Sequence, residues 1–585
     1  MEEPSFLTSY RRTKNEAPPY FVNRLPIQCR YEYQMPRDVL QKELRKSLEL
    51  IQRMAISDSL SSHTGCVNTL DWHEDGRHLL SGSDDHSLII WDTIQQGAAA
   101  PFTIKTEHQG NIFSAKFLHQ PDAFVSASGD GLVIRAQLAE GLVQQRPFKC
   151  HTGTTYRVLP LVDDAASFIS CSEDSTVRLF DVRQEYSNCK ERPGCPHSLL
   201  VNMEKAVSAM ALNPARPFDL AIGCSDSTIT LYDRRKMDKA LNRIRLQTVK
   251  NMPRRITSLQ YDRRGSQLLA NVLAEKIQLL DLRVGQQLEM GTAKKLQDAK
   301  ELLPSDAMPI KRLRLRGDWS DTGPQSRPGQ RPAAANAAAP SSSSRFMVEI
   351  SDLMTTWMRN QMTVSQPPAV APTPSPAAAP AVVAPRRTPL VPTTDRSGHG
   401  GRNDSAIEDL LASTHAAAAQ QKAPENMVSL KPLVQYSGHR SSRTMIKEAC
   451  FWDDGYIMSG SDCGRIFIWH RASGRLLNVK EGDAHVVNCL QPHPFDFLLA
   501  TSGIDYDVKL WRPILEEADF DEDAAQSIVD VNNQMLEETR DTVTVPALAV
   551  VQILRQMAAR RNQQAQPTVN PAQAEAESSD SQEEL

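Results

Sequence analysis

One short pattern recurs along this chain and constrains its fold more than any other feature. Residues 81–92 read SGSDDHSLIIWD, which describes the end of one strand, an acidic turn, and a second strand that closes on tryptophan and aspartate. Upstream, His63 opens a His-Thr-Gly sequence that precedes another strand candidate. Asp85 in the turn is placed to hold His63, and a strand serine and the Trp91 indole would complete a buried chain of hydrogen bonds. Because buried polar groups need partners, such a chain allows the hairpin one geometry.

Seven segments match this pattern, the first at residues 63–92 and the last at residues 485–511. Where segments are adjacent, their endings are spaced by about 40 to 50 residues, the period of four-stranded propeller blades. Seven blades lie within the range in which such rings close. We therefore predict an all-β fold, a seven-bladed β-propeller interrupted by a long disordered insert, with helices at both ends. A strand near residues 55–61 would complete the seventh blade and leave no open edge.

The residues of the buried chains are expected to act as blade struts rather than as catalytic bases. The candidates are His63, Asp85, Trp91, Asp130, Asp174, Asp226, His439, Trp469, His485, Asp505 and Trp511. The fifth copy is degenerate, because Ala274 stands at the acidic turn position and Leu280 replaces the closing aromatic residue.

Composition and the repeats together divide the chain into regions. These are an N-terminal arm and helix (1–54), propeller blades one to five (55–285), a largely disordered insert (286–429), blades six and seven (430–513), C-terminal helices (514–563) and an acidic disordered tail (564–585). The insert is rich in proline, alanine and serine. Such a composition buries too little apolar surface to offset chain entropy.

The helix predicted over residues 38–54 has apolar residues at three- and four-residue steps, including Leu44, Leu48 and Ile51. It lies outside the propeller repeat. It either packs on its own domain or is presented to a partner, and the sequence leaves both open.

Two segments of the insert are candidate docking elements. The basic and apolar residues alternate over residues 311–316, which fits either an edge strand on blade five or a nuclear import signal. Further along, one face of a short amphipathic helix is formed by Phe346, Ile350, Leu353 and Trp357. Within a disordered region such a stripe favours docking over a core. Residues 407–411 are similar to the box by which coactivators dock nuclear receptors, although chance spacing explains them better.

Several classes of function are not expected. The net charge of −4 gives no overall attraction to nucleic acid, and no apolar segment reaches the length that spans a bilayer. Cysteines are scattered, as in reducing compartments, and Cys189, Cys195 and His197 belong to a turn rather than a zinc site. We find no phosphate loop, nucleophile elbow or metal-ligand cluster, so neither catalysis nor a cofactor is predicted.

Three repeats continue past their closing strand with an Asp-x-Arg ending: FDVR at residues 180–183, YDRR at residues 232–235 and LDLR at residues 280–283. In this respect the chain resembles WD-repeat substrate receptors of cullin-four ubiquitin ligases. Longer segments, at residues 311–324, 442–448 and 483–494, resemble the same family. In that family the arginines and an N-terminal helix engage the damaged-DNA-binding-protein adaptor. The resemblance implies that the adaptor-binding residues are Arg183, Arg235, Arg283, Asp181 and Asp233.

The resemblance implies a non-catalytic receptor that links target proteins to the ligase, in the nucleus and cytoplasm. Alternatively, Arg183 and Arg235 pair with carboxylates inside the ring, and the protein is a transcriptional coactivator scaffold that binds nuclear receptors without ligase engagement. The family member that the longer segments resemble carries an IQ motif in its insert. No such motif stands between residues 401 and 435, which puts calmodulin binding in doubt.

Overall fold

The computed structural model describes residues 44–94, 100–120, 122–139, 142–184, 198–283, 312–315, 321–327, 427–539 and 542–545. These residues form the seven sheets of the propeller and a separate two-stranded ribbon. The predicted fold, a seven-bladed β-propeller, is confirmed. Within these residues no helix has the length and apolar content needed to cross a membrane.

The chain enters the ring through a short helix, α1 (Leu48–Gln52), and strand β1 (Met54–Ser61). Blade one follows with β2 (Val67–Trp72), β3 (His78–Ser83), β4 (Ser87–Asp92) and β5 (Phe102–Lys105). Blade two contains β6 (Ile112–Phe117), β7 (Ala123–Ser128), β8 (Val133–Ala139) and β9 (Leu142–Phe148). Blade three contains β10 (Thr155–Pro160), β11 (Ser167–Ser172), β12 (Thr176–Asp181) and β13 (Leu199–Asn202).

Blades four and five take their last strands from the far side of the insert. Blade four contains β14 (Val207–Leu212), β15 (Asp219–Cys224), β16 (Thr228–Asp233) and β17 (Asn242–Arg245), and a 3-10 turn at Val249–Asn251 follows. Blade five contains β18 (Ile256–Tyr261), β19 (Gln267–Val272) and β20 (Ile277–Asp281). After β21 (Arg312–Leu315), β22 (Met427–Ser429) adds in parallel to β17, and β23 (Val434–Tyr436) completes blade five. The predicted boundary at residue 430 was therefore wrong, because it falls inside blade five.

The last two blades lead to the closure of the ring. Blade six contains β24 (Ala449–Trp452), β25 (Tyr456–Gly460), β26 (Arg465–His470) and β27 (Leu476–Glu481). Blade seven contains β28 (Val487–Pro492), β29 (Leu499–Gly503) and β30 (Asp507–Pro513). Its fourth strand is β1, which pairs antiparallel with β30 and places Ile56 opposite Trp511, as predicted. The chain then forms α2 (Glu522–Thr539) and β31 (Thr542–Val545).

The ribbon corrects one prediction about the insert. Residues 312–315 do form a strand, but they pair in parallel with β31 and not with blade five. In blade five the edge beside β20 is occupied by β23. The part of the predicted C-terminal helices (514–563) that follows residue 545 lies outside the described residues.

Apolar side chains from neighbouring blades form the core between the sheets. All six residues of β3 are buried, since the inner strands of a blade contact both neighbouring blades. Between blades one and two, Leu80 and Leu88 pack with Ala115 and Phe124.

The two described helices pack on the ring. Ile51 in α1 is fully buried in a cluster that includes Tyr456 and Trp511, so this part of the N-terminal segment packs on its own domain. The continuous helix predicted over residues 38–54 was wrong at its end, because Ser47 caps a new helix and Met54 begins β1. In α2, Ile528 and Val529 pack against blades five and six.

A short part of the insert, residues 321–327, folds back onto blade six. The buried Arg440 guanidinium donates from Nη2 to the Asp321 carbonyl at 2.5 Å and from Nη1 to Met535 Sδ in α2 at 3.2 Å. The Gly323 amide donates to the Asp462 carbonyl at 3.0 Å. Gly323 has φ +87°, and a Cβ there would lie 2.1 Å from the Ala484 carbonyl oxygen, so only glycine fits. Arg440 thus joins the insert, blade six and α2.

Because of this contact, two deletions within the insert should differ in their effect on stability. Removing residues 330–423 should leave the melting temperature nearly unchanged, because a chain rich in proline, alanine and serine contributes little burial. Removing residues 321–423 should also strip Arg440 of buried partners and cost about 1–3 kcal/mol in the free energy of unfolding. Thermal and urea unfolding measure both. An equal loss in the two variants would contradict the role of residues 321–327.

Candidate functional site

The two ends of the strands give the propeller two faces with different chemistry. Asp181, Asp233 and Asp281 end the third strands of blades three, four and five. We name the face that they share with Arg183, Arg235 and Arg283 the arginine face. Asp85 lies at the opposite end, in the turn between β3 and β4, and with His63 it belongs to what we name the strut face.

Each Asp-x-Arg ending forms the same clasp. The arginine donates from Nε and Nη2 to the two oxygens of the aspartate two residues earlier. The distances are 2.8 and 2.8 Å for Arg183, 3.0 and 2.7 Å for Arg235, and 3.0 and 2.6 Å for Arg283. The arginine amide also donates to the same aspartate at 2.9 to 3.0 Å. Such fork-to-fork pairing fixes the orientation of the guanidinium plane.

The clasps present their arginines to solvent. The side chains of Arg183, Arg235 and Arg283 are 62, 63 and 67% exposed. The sequence left open that these arginines pair with carboxylates of the ring. They do pair with carboxylates, and their side chains still face the solvent. The hydrogen bonds from Arg235 lower the pKa of Asp233 to about 2, so this clasp stays ionised near neutral pH.

Neighbouring side chains support two of the clasps. Arg183 Nη2 also donates to Asp164, in the first turn of blade three, at 2.7 Å. The Arg235 guanidinium lies 4.5 Å from the ring centre of Phe218, at a distance where a cation and an aromatic face attract. Around them the face is apolar in places, since Val162 is 68% exposed.

The segment before α1 lies on the arginine face too. Arg45 donates to the carbonyls of His493 and Asp496, the latter at 2.8 Å, and both residues belong to the first turn of blade seven. The Trp452 indole donates to the Arg45 carbonyl at 3.1 Å. The N-terminal segment is therefore anchored at blades six and seven, while the clasps occupy blades three to five.

On the strut face, blade one has the predicted arrangement. His63 Nδ1 lies 2.9 Å from Asp85 Oδ2, His63 Nε2 lies 2.7 Å from Ser81 Oγ, and the Trp91 indole donates to Ser81 at 2.8 Å. Blade three repeats the histidine part of this chain, with His151 2.9 Å from Asp174 and 2.7 Å from Ser170. In blade two the contact between His108 and Asp130 is longer, at 3.5 Å.

Blade four builds its strut region without a histidine. Met203 stands at the position of His63, and the Tyr232 hydroxyl lies 3.8 Å from its sulfur. Asp226 keeps only the turn function, accepting the Thr228 amide at 3.1 Å.

In blade six the structure does not bring the predicted strut residues together as expected. Within the described residues neither ring nitrogen of the buried His439 has a hydrogen-bond partner, and the ring meets Trp469 edge-on at 5.7 Å. The Trp469 indole donates instead to the Ser437 carbonyl at 2.9 Å. Asp462 pairs with Lys447 at 3.1 Å, and both side chains are fully buried. Asp462 also accepts the amides of Ser442 at 2.6 Å and Arg443 at 3.1 Å, in the loop between His439 and β24.

In blade seven the strut is an ion pair, and the assignment of His485 to that position was wrong. His485 is 47% exposed at its side chain and lies 3.3 Å from Asp505, while the Trp511 indole donates to Thr501 at 2.9 Å. The buried residue at the histidine position is Asp483, which pairs with Lys509 at 2.8 Å. His485 stands two residues after Asp483 in the chain, and the sequence prediction took the histidine for the strut residue.

Comparison with known proteins places these repeats in a family. The family model described as "WD domain, G-beta repeat" matches residues 55–92 and 474–512, which span strands β1 to β4 and β27 to β30. The chain is a WD-repeat β-propeller. This WD-repeat protein is 26% identical to DDB1- and CUL4-associated factor 6 of Homo sapiens and 27% identical to that of Mus musculus; each match covers 86% of this chain and 93% of the relative. It is 38% identical to WD repeat protein iqw1 of Schizosaccharomyces pombe over 32% of this chain and 24% of that protein.

Some predicted elements of this WD-repeat protein lie outside the described residues. These are the docking helix with Phe346, Ile350, Leu353 and Trp357, the motif at residues 407–411, and the cluster of Cys189, Cys195 and His197. The sequence also did not predict a long-range contact that the structure describes. Arg440 and Asp321 are 119 residues apart, and no local pattern indicates that they meet.

The strut of blade one predicts that loss of its turn aspartate lowers the free energy of unfolding, and blade four offers a matched comparison. Replacing Asp85 with alanine should leave His63 without its buried acceptor and cost about 1–3 kcal/mol in the free energy of unfolding. Asp226→Ala removes the same turn carboxylate from a blade without a strut histidine, so it should cost less. Urea unfolding of both variants provides the comparison, and equal costs would argue against the strut.

His439 predicts a pH dependence of stability. Burial first, and then the charge of Lys447, lower the pKa of His439 from 6.5 to about 4. The unfolded chain takes up a proton there between pH 6.5 and 4 and the folded protein does not. This contribution to stability is therefore fully present above pH 6.5 and is lost as the pH falls toward 4. Between pH 7 and 4 the free energy of unfolding should fall by up to about 3 kcal/mol more in the wild type than in His439→Leu. Parallel curves for the two proteins would refute this assignment.

Proposed function

We propose that this WD-repeat protein is a non-catalytic substrate receptor, which links target proteins to a cullin-four RING ubiquitin ligase through the damaged-DNA-binding-protein adaptor. The observation that carries the proposal is the row of three identical clasps on consecutive blades of one face. The relatives in human and mouse, which match over most of their length, are named as DDB1- and CUL4-associated factors.

The clasps have the properties of interface anchors. A guanidinium oriented by its own aspartate loses little side-chain entropy on binding, since its rotamer is already set. Pairing through Nε and Nη2 leaves the Nη1 edge of each arginine directed to a partner's carbonyl or carboxylate groups. Exposed apolar side chains lie on the same face, such as Val162 and Phe495, which is 51% exposed. When a partner covers them, they exclude water from the surroundings of the charged anchors.

The strut face is then available for the target protein. It exposes large apolar side chains from three different blades, with Val249, Met445 and Tyr506 at 42, 46 and 56% exposure. Because the two faces are opposite ends of the same strands, adaptor and target can be bound at the same time. Loops on a propeller face vary without changing the fold, so this surface sets target choice.

The proposal is tested by adaptor binding of Arg183→Ala/Arg235→Ala in the full chain. Truncation of an arginine anchor costs about 2 kcal/mol or more, so the double variant should bind the purified adaptor more than a hundredfold more weakly. The corresponding lysine variant should also bind weakly, because lysine keeps the charge but loses the fork. Arg245→Ala, which changes an exposed arginine at the strut-face end of blade four, is the matched control and should bind as the wild type does.

Melting temperatures decide between interface and internal roles. A double variant that stays folded and loses the adaptor supports the proposal. If the folded double variant binds the adaptor fully, the proposal is wrong, and the scaffold function that binds nuclear receptors without the ligase is favoured instead.

A further inference from the structure

A group of potential metal ligands lies in the first turn of blade one, apart from the three clasps. One ligand atom from each of His73, Asp75 and His78 lies within 4.8 Å of the others. His78 Nδ1 is 2.7 Å and His73 Nδ1 is 3.1 Å from Asp75 Oδ2. Both imidazoles therefore direct the same nitrogen toward one carboxylate oxygen.

The turn holds this arrangement in place. Asp75 Oδ1 accepts the amides of Arg77 at 2.7 Å and His78 at 3.1 Å, which fixes the carboxylate and leaves Oδ2 to the two rings. His78 is anchored in β3 with its side chain 5% exposed, whereas the side chain of His73 is 17% exposed. Ligands set by packing and backbone hydrogen bonds lose little entropy when an ion binds.

No described basic side chain occupies the centre of the group, and a second acidic cluster shows the contrast. Arg77 directs its guanidinium to Asp92, at 2.9 and 2.5 Å, and not to Asp75. In blade seven the carboxylates of Asp483, Asp505 and Asp507 surround Lys509 Nζ at 2.8, 3.7 and 2.6 Å, so an ammonium group already fills that position. Of the two clusters, the one in blade one has no described ammonium or guanidinium group among its ligand atoms.

We propose that His73, Asp75 and His78 bind one divalent transition-metal ion of the zinc class. Two imidazole nitrogens and one carboxylate oxygen suit zinc, cobalt, nickel or copper, whereas magnesium and calcium prefer oxygen ligands alone. On binding, the ion takes the place of the hydrogen bond between His78 Nδ1 and Asp75, and any proton held there is released to solvent. Three protein ligands leave at least one coordination position open.

A small cleft beside His73 can give a further ligand access to the group. His73 borders a small cleft with Gln120 and Asp122 from the corresponding turn of blade two. The cleft lies on the arginine face, so water or a side chain of a bound protein can complete the coordination. The site does not depend on the receptor function, because none of its ligands belongs to a clasp.

The test uses the full untagged chain, freed of metal by dialysis against a chelator. Zinc binding is measured by calorimetry at neutral pH for the wild type and for His73→Asn. This variant changes the more exposed of the two histidine ligands. His119→Asn is the matched control, because His119 lies in the corresponding turn of blade two, where it pairs with Glu74 at 2.7 Å, and it is not a ligand. We expect one zinc per chain in the wild type and in the control. The loss of one ligand should weaken binding at least tenfold, since even indirect changes at metal sites cost 10- to 100-fold.

X-ray absorption of the zinc-loaded wild type keeps the proposal testable if His73→Asn does not fold. Nitrogen and oxygen ligands at about 2.0–2.2 Å with imidazole scattering support the site. Equal zinc affinity of folded His73→Asn and wild type would overturn it, and so would an absorption spectrum without imidazole. In either case the three residues act only as a hydrogen-bonded turn.

Discussion

The antiparallel pairing of β1 with β30 is the interaction on which the remainder of the ring depends. It joins residues more than 440 positions apart and converts an open row of sheets into a closed one, as Ser59 and Asp507 illustrate. Each blade is stabilised by packing against two neighbours, so a gap would expose two sheet surfaces and an unpaired edge. The closure also places α1 beside blades six and seven, where Ile51 seals the junction. The clasps of blades three to five and the anchored N-terminal segment share one face only because the ring is complete.

The closed ring has two faces with different chemistry. The clasps lie at one end of the strands and the polar chains of His63 and His151 lie at the other. The buried chains define the strand register, and the register sets where each Asp-x-Arg ending emerges. Structural polar residues and exposed polar residues therefore occupy the same blades without competing.

Much of this architecture could be predicted from the sequence because each blade is a local unit. The spacing of His63, Asp85 and Trp91 is set within thirty residues, so the pattern indicates the hairpin directly. The prediction failed where a side chain contacts a distant segment of the chain, or where a different kind of interaction replaces the histidine hydrogen bond. Asp483 and Lys509 replace a histidine strut by an ion pair that no histidine pattern reveals. The contact of Arg440 with Asp321 depends on a distance in space that sequence spacing does not report. His73, Asp75 and His78 are close in sequence, but only the structure brings their ligand atoms within 4.8 Å of one another.

The position of the insert has a consequence for the integrity of the chain. Strand β23, from beyond the insert, pairs with β20, and β22 pairs with β17, while β1 at the other end of the chain pairs with β30. The two halves of the polypeptide are therefore interleaved at three blades. A protease that cuts within residues 330–423 severs the backbone but none of these strand pairings, so the nicked protein should elute as one species under native conditions and separate into two fragments only in denaturant. The assembled domain therefore does not need a continuous backbone through the insert. Cleavage there should separate the two sides of the insert from each other and leave the propeller assembled.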